Sequence, residues 1–175
     1  MSDVPAAALW TAALATALGA DLRARATASR GLGVGLLTGA AIMMRPNLAP
    51  LAAIPLLLVW PSRPAVLAAA GAAVPGVAAV ALLQAAIYGS PLQSGYGNLR
   101  QLFSLRHAAV NIVNYPSWLA SAHTPVLALG VLAPFVTGRR IAAWALLAFV
   151  LGTLAAYLPY VPFADWWYTR FLLPA

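Results

Sequence analysis

The chain has 175 residues, of which 63% are hydrophobic and 7% charged, against about 25% charged in an ordinary soluble domain. Its net charge of +7 comes from ten arginines, no lysine and three aspartates. These arginines sit at the ends of apolar runs and form no basic stripe on a polar surface, so a soluble globular domain and a nucleic-acid binder are both excluded. The absence of cysteine excludes disulfides and cysteine metal sites.

Residues 4–20 form the first apolar segment. No basic stretch precedes it, so it does not read as a signal peptide. Asp3, next to Ser2, stands at its start. A carboxylate there either caps the helix by accepting a backbone N–H, or is held at the membrane surface to orient a hydroxyl or bind a metal. A loop with Arg23, Arg25 and Arg30 follows.

Residues 31–44 and 48–60 are the second and third segments, separated by Arg45-Pro46-Asn47. Each is short, roughly 20 Å as a helix, and joined they would reach about 45 Å. Pro46 cannot continue a helix without losing a hydrogen bond. The pair is therefore expected to be a hairpin with Arg45 at its tip. An arginine interrupting an apolar run is costly and usually functional. Its fork of donors fits phosphate oxygens, whether of a substrate or of an ordinary lipid headgroup.

The link Pro61-Ser62-Arg63-Pro64 leads to the fourth segment, 65–88, with a kink expected at Pro75. Residues 89–121 open with the turn chemistry of Gly89, Ser90, Pro91, Gly95 and Gly97. They continue as an amphipathic stretch through Leu99, Leu102, Phe103, Leu105 and Arg106, expected to lie on the membrane. Residues 122–137 form the fifth segment, Gly138-Arg139-Arg140 a tight link, and 141–160 the sixth. The tail, 161–175, is rich in aromatics and carries Asp165 and Arg170, which either pair or line a sugar site. His107 and His123 have no acidic neighbour and no metal-ligand spacing, and both read as interfacial.

The expected fold is all-α: a polytopic transmembrane helical bundle of about six membrane segments with a partly helical outer loop. Arginines 23, 25, 30, 63, 139 and 140 fall inside, which puts Asp3, Arg45, the 89–121 stretch and the tail on the outer face. No soluble domain boundary and no convincing internal repeat is visible, so residues 1–175 read as a single membrane-embedded region.

Three stretches, taken in order, resemble the middle of a GT-C-type membrane glycosyltransferase, the class of aminoarabinose transferase and the protein O-mannosyltransferases. These are Met1-Ser-Asp-Val-Pro-Ala-Ala, Gly35-Leu-Leu-Thr-Gly-Ala-Ala-Ile-Met-Met-Arg-Pro-Asn47, and Trp166-Trp-Tyr-Thr-Arg-Phe-Leu-Leu-Pro-Ala175. The run Tyr88-Gly-Ser-Pro-Leu-Gln-Ser-Gly-Tyr96 is also typical of bacterial members. The resemblance implies transfer of a sugar from a polyprenyl-phosphate carrier to an acceptor on the non-cytoplasmic face of a bacterial inner membrane. It implies a catalytic carboxylate at Asp3, near the acceptor or a divalent metal. It further implies a donor-phosphate contact at Arg45 and substrate contacts at Tyr96, Asp165 and Arg170. The family's principal carboxylate, in its first outer loop, has no counterpart here, so the chain is expected to be an internal piece, inactive alone. The expected partners are membrane lipid and the lipid-linked sugar, with no nucleic acid. A transporter or flippase piece and a non-catalytic membrane scaffold are the competing readings.

Overall fold

The structure, a computed structural model, describes residues 3–19, 25–95, 97–122 and 125–162. It is mostly helical and divides into two compact units, Met1–Leu83 and Gln84–Leu173.

In the first unit, α1 (Asp3–Leu18) and α2 (Ala28–Met44) run antiparallel against each other. Gly19, at φ +64°, ends α1 in the left-handed conformation that only glycine takes without strain. The guanidinium of Arg30 packs over it, with Cζ 2.7 Å from where a Cβ would lie. Thr27 starts α2 by accepting the Arg30 N–H at 3.2 Å. Helix α2 thus begins three residues earlier than the apolar pattern suggests. It stops at Arg45 (φ −142°, ψ 87°), because a residue before proline is driven out of the helical region.

The return limb is not a plain helix. Pro46–Ala52 is a 3-10 segment and Ala53–Val59 is α3. A 3-10 helix rises about 2.0 Å per residue against 1.5 Å for α. The return limb therefore covers about 25 Å, the same as α2. Residues of four elements meet at the end remote from Arg45: Ala17, Val34, Val59, Ala65 and Ala69 form one buried cluster.

Helix α4 (Arg63–Tyr88) follows, 26 residues running on through Pro75. Its first half lies directly on α2. Gly31 faces the Ala65 backbone, Gly35 faces Ala69 and Ala72, and Gly39 faces Ala73 and Gly76. A Cβ at Gly35 would fall on the Ala69 backbone and 2.7 Å from the Ala72 Cβ, so no larger residue fits there. Small residues at four-residue spacing are how apolar helices approach backbone to backbone.

In the second unit, Gln93–Ser94 (β1) pairs antiparallel with Gly97–Asn98 (β2). Helices α5 (Leu99–Leu102) and α6 (Leu105–Ala122) follow, then a 3-10 segment (Pro125–Leu132), α7 (Ala133–Val136) and α8 (Arg140–Tyr157). The expected amphipathic stretch is thus a small hairpin and two helices. The fifth segment is mostly 3-10. The sixth ends as a helix at Tyr157, after which Tyr160 bridges to Phe103.

Among the described residues two helices, α4 and α8, are long and apolar enough to cross a membrane. Only 6% of the most apolar stretch of α4 and 28% of that of α8 is buried. The core helix of a soluble protein would be mostly buried, whereas α4 exposes Leu67 (73%) and Leu82 (70%) and α8 exposes Leu146 and Leu151 to about half. Such a surface fits lipid, where helices are the elements that satisfy their own backbone. One order of elements occurs twice: a 3-10 segment beginning with proline, a short α-helix, a turn, then a long apolar helix that begins with arginine.

Candidate functional site

Asp3 lies in the first turn of α1 and Arg45 caps the last turn of α2. Because the two helices are antiparallel, these ends come together, and the Asp3 carboxylate forms an ion pair with an Arg45 Nη. Each charge also sits at the favourable end of its own helix, the anion at an N-terminus and the cation at a C-terminus. Both side chains are largely buried, at 14% and 8% exposure. A buried pair of this kind is held as a unit, since removing one partner leaves a desolvated charge at a cost of about 3–5 kcal/mol.

The backbone fixes the position of the arginine. The Arg45 N–H donates to the Ala41 carbonyl at 2.9 Å, and its carbonyl accepts from Leu48 N–H at 3.1 Å. The guanidinium therefore leaves from a rigid helix-to-3-10 junction rather than a loose loop.

Beneath the pair lie Trp10 (0% exposed) and Thr38 (3%). Each is seven residues along its helix from the ion pair, about 10 Å deeper at the α-helical rise. The packing of Thr16 against Gly33 carries the same antiparallel register further down. Thr38 Oγ1 is buried with no hydrogen-bond partner. A hydroxyl in that state is ready to take a donor or an acceptor. Neither residue stands out in the sequence, because a Trp and a Thr within apolar helices look like ordinary packing.

The second unit holds a separate polar cluster. His107, Asn111 and Tyr115 recur at four-residue spacing and share one face of α6. All three reach the carbonyls where α8 ends. Tyr115 Oη donates to Tyr157 O at 3.1 Å. Asn111 Nδ2 donates to Leu158 O at 2.9 Å and to Tyr160 O at 2.7 Å. His107 Nδ1 lies 3.2 Å from Pro159 O, which can only accept, so Nδ1 carries the proton. Arg106 Nε, 3.4 Å from His107 Nε2, donates to that nitrogen in the same tautomer. The last carbonyls of a helix have no partner within it. Here side chains of α6 join the backbone amides of Tyr160 and Ser104, which bond Tyr157 O and Pro159 O, in satisfying the carbonyls at and just beyond the end of α8. Burial, then the nearby Tyr157 and Tyr160, push the Tyr115 phenol up to about 12, so it remains a donor through the physiological range.

Of the sequence-derived site residues, Asp3 and Arg45 are brought together. Tyr96, Asp165 and Arg170 lie outside the described residues, as does His123. Among the described residues no group of three His, Cys, Asp or Glu could hold a metal. His107 is part of the helix-end ladder, a role the sequence hides because its partner is a backbone carbonyl.

No family model matches this chain, and no curated protein or solved structure matches it.

Proposed function

We propose that this chain is part of a membrane glycosyltransferase that moves a sugar from a polyprenyl-phosphate donor to an acceptor on the non-cytoplasmic face. In this reading its six apolar segments all enter a bacterial inner membrane, with α4 and α8 as full spans and the others completed by neighbouring helices. The observation that supports it most is the Arg45–Asp3 pair, a buried guanidinium fixed at a helix junction inside an apolar bundle.

Arg45 faces the carrier phosphate and stabilises the charge that develops on it as the sugar leaves. Asp3 holds the guanidinium in orientation and lies where an acceptor hydroxyl or a metal would come close. A carboxylate outside this chain acts as general base on that hydroxyl, and the anomeric carbon is attacked with inversion. Tyr96, Asp165 and Arg170 complete the sugar site in this reading.

The test is binding of a polyprenyl phosphate to the full chain in nanodiscs. Arg45→Ala alone would strand the Asp3 carboxylate, so the informative variant is Asp3→Asn with Arg45→Gln, which keeps shape and removes both charges. Charge-assisted hydrogen bonds contribute about 1.5–3 kcal/mol, so binding should weaken by about 10- to 100-fold. Asp3→Asn alone leaves the guanidinium without its counter-charge, so it should lower stability while leaving phosphate binding by the folded protein intact or tighter. A double variant that binds like the parent refutes the phosphate role.

A further inference from the structure

Helix α6 has two faces of opposite character. One carries His107, Asn111 and Tyr115 and is occupied by the end of α8. The other, about half a turn away, carries Leu105, Ala109, Ile112, Val113 and Pro116. This second face is exposed: Leu105 86%, Ile112 61% and Val113 66%. Spacings of four, seven, eight and eleven residues from Leu105 make it one continuous apolar stripe.

We propose that this stripe is a membrane-surface docking face, with the interfacial layer of a lipid bilayer as its occupant. Three observations select lipid. First, α6 is tied to the final turn of α8 and to Leu158–Tyr160 beyond it, so it lies where a helix long enough to span comes to its end. The end of a span is the level of the headgroups. Second, Arg106 is exposed on the flank of the stripe, and no Asp or Glu occurs among the described residues of the second unit. A cationic margin beside an apolar face suits anionic lipid. Third, α8 of the same unit also exposes apolar residues such as Leu146 and Leu151, which already fit lipid. In this arrangement the ladder does two things: it bonds carbonyls from Tyr157 to Tyr160, at and just past the end of α8, and it sets the roll of α6 about its axis so that Leu105, Ile112 and Val113 enter the acyl boundary. The inference stands independently of glycosyl transfer, since it uses no residue of the Asp3–Arg45 site.

The chain has no cysteine, so a single introduced cysteine gives one clean label. Ile112→Cys, Val113→Cys and Asn114→Cys, each carrying a nitroxide, would be compared in full-length protein in vesicles of mixed neutral and anionic phospholipid. Collision with oxygen reports lipid, and collision with a water-soluble nickel chelate reports solvent. The expected result is a several-fold higher oxygen-to-nickel ratio at positions 112 and 113 than at 114. Equal, nickel-dominated ratios at all three would place the stripe in water and overturn the proposal. Labels at 112 and 113 immobilised and shielded from both quenchers would also overturn it, because protein would then cover the stripe. Two independent positions on the stripe guard against one label disturbing the helix.

Discussion

Each unit contains a 3-10 segment, a short helix and a long apolar helix in the same order, but the two hold them by different forces. In the first, the 3-10 segment and α3 return the chain to Arg63, and α4 then packs on α2 through Gly31, Gly35 and Gly39. In the second, the 3-10 segment and α7 lead through Arg139 to α8. There α7 meets α8 through Phe135 on Trp144, with ring centres 5.4 Å apart, and the end of α8 is held by the α6 ladder. Where two helices lie flank to flank, removing side chains lets the backbones close and dispersion suffices. Where a helix ends and leaves carbonyls without partners, only donors will do, and beside the Ser104 and Tyr160 backbone amides the chain supplies an amide, a phenol and an imidazole. Mutations should therefore act by steric bulk in the first unit and by hydrogen-bond deletion in the second.

The largest effect is expected at Gly35. A leucine there collides with the Ala69 backbone and Ala72, and backbone cannot yield as a flexible side chain does. Overpacking of this kind costs about 3 kcal/mol at the top of its usual range. Gly35→Leu should lower the thermal midpoint in detergent sharply. Gly71, on α4 with nothing within 4 Å, is the internal control. Gly71→Ala should be neutral or raise stability by up to about 1 kcal/mol through helix propensity. Equal behaviour of the two variants would mean that close approach is not what holds α2 and α4.

Much of this architecture can be read from the sequence, and the parts that cannot share a physical cause. The Arg45 turn is legible because Arg-Pro ends a helix locally. The turn at Gly89–Gly97 is legible from its glycines and proline for the same reason. The pairing of Asp3 with Arg45 is not, since it depends on which helix face meets which between residues 42 positions apart. The 3-10 segments escape detection because an apolar run broken by prolines has no period to choose 3-10 over α. The glycines of α2 read only as general richness in small residues until Ala65 and Ala69 are seen opposite them. The ladder is the hardest to foresee: every residue offers a carbonyl, so nothing in the sequence marks Leu158 or Tyr160 as acceptors.

Asn111 tests the second unit. Its Nδ2 serves two carbonyls, and the residue is fully buried. Asn111→Leu keeps the volume and removes both bonds, at about 1–3 kcal/mol in total. Backbone hydrogen exchange should speed up at Tyr160 and Val161, whose amides bond Tyr157 O and Leu102 O and so depend on this end of the helix remaining closed. Protection unchanged at both amides would show that the α6 side chains are not what holds the end of α8.

Tyr115 gives the smallest effect and separates a hydrogen bond from packing. Tyr115→Phe deletes one bond, to Tyr157 O, and should cost about 1 kcal/mol at neutral pH. The phenol has its ordinary value of 10.0 when unfolded and about 12 when folded. Below pH 10 both states hold the proton and stability does not depend on this group. Between pH 10 and 12 the unfolded state releases its proton first, so stability should fall by up to about 1.4 kcal/mol per pH unit. In Tyr115→Phe that part of the alkaline fall must vanish. The variant would then be less stable than the parent at pH 8 and nearer to it at pH 11, a crossover tendency that loss of packing alone cannot produce. Parallel stability curves for the two proteins from pH 8 to 12 would place Tyr115 among residues that merely fill space, and leave Asn111 and His107 to hold the helix end.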